Sequence, residues 1–191
     1  MSKFISKQSV AIWYGLTALL ATFLVGQVIL WCFPDGRSMG ASLLFILMNL
    51  IPMIVAAVFS LVLSEVNSLG EFFKKVFLQK ESPLSWILAF FIPVIYYGIS
   101  ILLMNVRFTG NSLLAFFLYF PWTLLYGGLE EVGWRWFLQD HLSFSKHFIP
   151  KMMLLSIVWF LWHIPIYQLP WITAGSSNYL IFYLMILGNT F

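Results

Sequence analysis

Charge is what this sequence has least of. Asp, Glu, Lys and Arg together make up 9% of its 191 residues, against about a quarter in a soluble globular domain. That shortage excludes a soluble fold with a fully wetted surface. Cysteine occurs once, at Cys32, so no intramolecular disulfide can staple the chain, and Cys32 reads as a small apolar wall residue. The net charge of +3 is spread among loops, which leaves no basic cluster for a nucleic-acid partner. Strict apolar–polar alternation is missing, and with it the signature of a transmembrane β-barrel. No internal repeat or low-complexity tract occurs.

What is present is apolar and aromatic: 61% hydrophobic residues, with 20 Phe and 9 Trp. Each membrane crossing takes about 20 apolar residues, and the chain holds about six such runs. They cover about 9–33, 41–63 and 84–105, a run from near Asn111 into "GGLEEVGWRWF", about 150–168, and a last one from near Tyr179. The predicted fold is all-α, a polytopic helical bundle forming a single integral membrane domain over 1–191. The first run is too long for a signal-peptide core and no cleavage pattern follows it, so it is read as a retained span. The turn "FPDGR" ends it. Pro52 inside the second run is a tolerated kink. In "SEVNSLGEFFKKVFLQKESP", Leu69, Phe72, Phe73, Val76 and Phe77 recur at helical spacing among charges, which predicts an amphipathic surface helix near 69–78. The last run breaks off at Phe191, and this predicts that C-terminal helices are missing from the chain as given.

Lysine and arginine in the loops set the orientation. With the N-terminus inside, the inner segments hold Lys3, Lys7, Lys74, Lys75, Lys80, Lys146 and Lys151, and the outer loops hold Arg37 and Arg107. The expectation is a multi-pass protein of the cell membrane with a cytoplasmic N-terminus. Asp140, His141 and His147 fall near a cytoplasmic turn, where water can solvate them.

Against this background Glu130, Glu131 and Arg135 are conspicuous, because a charge inside a membrane is costly unless it is paired or serves a function. Glu131 and Arg135 stand at i and i+4, acid first, and can pair on one helix face. Glu130 is turned about 100° away and has no cation on its own helix. Its neighbours at i−3 and i+3 are Gly127 and Gly133, a small-residue groove that admits another helix or an extended peptide. Trp134 forms an apolar wall at i+4. A carboxylate in that setting, short of water, is suited to act as a general base. If the fourth and fifth runs form a hairpin turning at 146–147, Glu130 and His163 are equidistant from the turn, both roughly 15–20 Å from the helix ends beside it at the rise of an α-helix. His163 could then hold a water against Glu130 or bind a metal. Pro165 bends the helix just beyond it.

"EEVGWR" followed by "WFLWHIPIY" resembles the CPBP family of intramembrane proteases, the type II CAAX prenyl endopeptidase or Abi family. Its Glu-Glu-x-x-x-Arg motif is matched by Glu130, Glu131 and Arg135. Its aromatic-x-x-x-His motif is matched by Trp159, where the family usually has Phe, and His163. The resemblance covers about 122–168. It implies a helical membrane fold, a peptide or protein substrate that in some members is lipidated, and proteolysis near the cytoplasmic side. Glu130 and His163 would activate water, with Glu131 and Arg135 supporting the site. A third family motif, His-x-x-x-Asn or Asp, has no counterpart after His163.

The metal question stays open at this level. Zinc, held in part by Glu130 and His163, and a metal-free glutamate-activated water both match the two motifs, although zinc needs at least three protein ligands. Two other functions compete. A non-catalytic membrane immunity or binding protein would need Glu131 and Arg135 only for folding. A transporter would use the polar cluster as a proton relay, but lacks the repeated halves common in such folds.

Overall fold

The computed structural model describes residues 6–36, 38–104, 113–143, 147–172 and 178–191. Lys3, Arg37, Arg107 and Lys146, which entered the orientation argument, lie outside them. Every regular element among the described residues is helical: α1 (Lys7–Cys32), α2 (Met39–Val62), α3 (Leu69–Phe77), α4 (Pro83–Met104), α5 (Leu113–Thr123), π-helical turns at Leu124–Gly128 and Val132–Leu138, a short α6 (Gln139–His141), α7 (Phe148–Tyr167) and α8 (Tyr179–Thr190). Three of these, α1, α2 and α7, are long and apolar enough to cross a membrane. The chain is a helical membrane bundle.

Serines start the helices. Ser6, Ser38, Ser68 and Ser82 each accept a hydrogen bond from the backbone N–H three residues on, at 3.1–3.2 Å, so one of the otherwise unpaired first-turn donors is satisfied. The break between α1 and α2 is a tight turn in which Gly36 donates to the Phe33 carbonyl at 3.2 Å. Its φ of +116° suits glycine. The amphipathic helix expected near 69–78 is α3. It buries Phe72 against Trp136, with ring centroids 5.3 Å apart, and leaves Lys74 and Lys75 exposed.

The core is an aromatic and aliphatic mass between α1, α2, the second π-helical turn and α7. Tyr14, Trp134 and Trp162 are fully buried in it. Between apolar helices in lipid, packing and a few hydrogen bonds replace the hydrophobic effect as the cohesive force. Tyr14 donates to the Pro52 carbonyl at 3.0 Å, tying α1 to α2. Trp162 donates to the Thr22 hydroxyl at 2.8 Å, tying α7 to α1. Gly133 is the tightest contact. A Cβ there would lie 2.5 Å from Pro52 Cβ and closer still to the Tyr14 hydroxyl. The side chains described in α4, by contrast, are almost all exposed.

One end of the bundle gathers polar groups. Lys7 bonds Asp140 at 3.3 Å, Lys75 donates to the Glu65 carbonyl at 2.7 Å, and His141 meets the Glu65 carboxylate at 2.9 Å. His141 therefore differs from the solvated interface residue expected from sequence. It is 4% exposed and bridges Phe137 and Glu65. The physical reason is the ring stack on Phe137, at 4.3 Å, which draws it into the core. His147 and Asp140 are exposed.

Candidate functional site

The two glutamates sit in a short α-helical step between the two π-helical turns. Backbone geometry leaves the helix at Gly127 (φ 173°), so the segment carrying the motif is bent. π-Helical windings are frequent at functional sites. Here the winding changes which faces meet. A π-helix puts more residues into each turn, so the faces that side chains of Val132–Leu138 present differ from those of an α-helix.

Glu131 and Arg135 pair as their spacing predicts, Nε to Oε2 at 3.2 Å. The rest of the guanidinium reaches α8: one nitrogen donates to the Thr190 carbonyl at 2.7 Å and the other to the Asn189 carbonyl. Arg135 thus ties the motif to α8, a role its sequence spacing does not reveal.

Glu130 is 5% exposed. Its partner comes from α7, where the indole N–H of Trp159 donates to Oε1 at 3.3 Å. His163 is one turn further along α7. It makes no direct hydrogen bond to Glu130 among the described residues. The Trp159 and His163 ring centroids are 5.8 Å apart. His163 Nδ1 meets the Trp159 carbonyl at 2.9 Å. A carbonyl only accepts, so Nδ1 carries the proton, and in the neutral ring Nε2 keeps a free lone pair. Phe182 of α8 packs on the His163 ring at 5.4 Å.

The small-residue groove expected beside Glu130 is half filled. Gly133 is occupied by Tyr14 and Pro52, whereas nothing lies within 4 Å of a Cβ built on Gly127. Toward the polar end, a cavity of about 420 Å³ reaches Arg135, bordered by Glu65, His141, Asp140 and Lys151. Zinc calls for three or more protein ligands. No three His, Cys, Asp or Glu side chains cluster for a metal among the described residues, so Glu130 and His163 have no third ligand there.

A buried carboxylate on the motif segment and a half-buried histidine on α7 thus stand on neighbouring elements of the bundle. Residues 112–191 match the family model described as type II CAAX prenyl endopeptidase Rce1-like. This segment, which contains Glu130, Glu131, Arg135, Trp159 and His163, is similar to the protease family that the two motifs resemble. No curated protein matches the chain, and no solved structure does.

Proposed function

We propose that the protein is an intramembrane endopeptidase that cleaves a peptide bond near the cytoplasmic face, with Glu130 and His163 acting on a water molecule. The observation that carries this reading is the position of Glu130 in the Rce1-like segment, buried and without a cation of its own, while its neighbour Glu131 takes the arginine. A structural ion pair needs one glutamate, and the second is free for chemistry. In the reaction Glu130 takes a proton from water as His163 Nε2 accepts the water's other hydrogen bond. The hydroxide adds to the peptide carbonyl. Glu130 then returns its proton to the departing amine, and the C–N bond breaks. Glu131 and Arg135 hold the helix that carries the base.

The polar end, with Lys7, Lys75 and Lys151, faces the cytoplasm, so the N-terminus is cytoplasmic. Substrates are peptides or proteins reaching the bilayer surface, lipidated ones among them. The test uses the full-length protein in lipid nanodiscs with two internally quenched peptides, one ending in a farnesylated Cys-a-a-X sequence and one without the lipid. Glu130→Gln keeps an acceptor for the Trp159 N–H. It should therefore retain the melting temperature while cleavage falls at least about 10²-fold. Unchanged cleavage removes Glu130 from the mechanism.

A further inference from the structure

We propose that Trp159 is a positioning residue that sets the orientation of Glu130 and connects the two motifs. This rests on the endopeptidase reading above. Four separate features of this one residue converge on the polar groups. Its indole N–H donates to Glu130 Oε1 at 3.3 Å. Its ring lies 5.7 Å from the Arg135 guanidinium carbon, within cation–π range. Its ring stands beside His163, and its backbone carbonyl receives the His163 Nδ1 proton at 2.9 Å.

The indole is the one hydrogen-bond donor to Glu130 among the described residues, and both side chains are 5% exposed. A single directional donor draws one carboxylate oxygen, Oε1, toward the indole and so restrains the side chain's rotation. An indole suits the task because two torsions position a large rigid plate that is apolar on its faces and polar at one edge. The same carbonyl bond fixes the His163 tautomer and leaves Nε2 as the acceptor. Trp159 therefore aligns both groups proposed to act on the water. A phenyl ring could fill the space and face Arg135, but could not donate to the carboxylate.

The experiment separates packing from hydrogen bonding. Trp159 is replaced by Phe and, in a second variant, by β-(3-benzothienyl)alanine, which keeps the bicyclic shape and puts sulfur where the N–H was. Both are measured in nanodiscs with the two quenched peptides. Misplacing a catalytic group by about 1 Å costs on the order of 10²-fold, so kcat should fall about 10–100-fold in both variants, with KM and melting temperature little changed. The infrared carboxyl band of Glu130, isolated by difference against Glu130→Gln, should shift in both variants.

A shifted band with unchanged kcat overturns the proposal. So does an unshifted band, whatever the activity, because the hydrogen bond would then be absent. A folded Phe variant that loses activity beside a fully active benzothienyl variant also overturns it, since shape alone would be at work. A band shifted in both variants, beside a wild-type protein that cleaves neither peptide, leaves Trp159 orienting Glu130 and overturns the endopeptidase reading instead.

Discussion

Helix α4 and the bent segment from α5 to α6 are both strongly apolar stretches of near-membrane length, yet they meet opposite surroundings. In α4 the described side chains face outward, and a Cβ on Gly98 would touch nothing within 4 Å. In the bent segment Val132, Gly133, Trp134, Phe137 and Leu138 are buried, and three charged residues are accommodated beside them. The difference teaches where a membrane protein can place charge. A lipid-facing helix has no partner to offer an ion, whereas the bent segment finds an arginine on its own turn, an indole on α7 and free carbonyls on α8.

The sharpest way to break this comparison is to add the same bulk to a glycine of each region. Gly133→Leu should abolish a monodisperse, folded protein, because its Cβ alone collides with the Tyr14 hydroxyl and Pro52. Even Gly133→Ala should cost roughly 3 kcal/mol, at the upper end for overpacking. Gly98→Leu in α4 should leave the melting temperature within error. Equal effects at the two glycines would mean that the packing described here is wrong.

A smaller effect is expected at the charge that binds the segment to its neighbours. Arg135→Met removes the partner of Glu131 and the donors to the last carbonyls of α8. It should destabilise by about 1–2 kcal/mol, because the pair is more than a third exposed and the lost charged donors to the α8 carbonyls add to it. The additional substitution Glu131→Gln should recover part of that loss in thermal melts, because the uncompensated charge is then gone. No recovery would indicate that the α8 contact, and not the pair, dominates.

The smallest effect belongs to α3, which lies on the surface between the two regions. The Asn67 backbone N–H holds the Glu71 carboxyl down from its ordinary 4.5 to about 2, helped by Lys75 and the Asn67 side chain. A group whose pKa is depressed on folding contributes stability that is present above its unfolded value and is lost as pH falls through the folded one. Acidification from about pH 4.5 toward 2 should therefore loosen the start of α3. Carbon-13 titration of the Glu71 carboxyl should give a midpoint near 2, and a midpoint at the ordinary value would remove that network.

Much of the bundle could be read from hydropathy. The ends of α1, α2 and α7 fall within a few residues of the apolar runs, and α3 follows from the spacing of Phe72, Phe73 and Val76. The Glu131–Arg135 pair was also legible, since four residues on a helix bring side chains together. Two things were not. π-Winding over Val132–Leu138 has no simple periodic signature, and spacing arguments that assume an α-helix did not reveal the hydrogen bond from Trp159 to Glu130. The reach of Arg135 to α8 depends on how distant helices dock. One signal was available for the indole: a Trp at an apolar helix position needs a partner for its N–H when buried, and Glu130 was a carboxylate still without one. His141 was misjudged because its nearness to a turn in sequence said nothing of the stack on Phe137.

The tether between Arg135 and the end of α8 also sets an order of events at the ribosome. Its two ends are 55 residues apart. At ordinary rates of synthesis the last of them appears about 3–11 s after the arginine. Throughout that interval the arginine can already pair with Glu131, four residues before it, and the contact to α8 arrives only once that helix has been made.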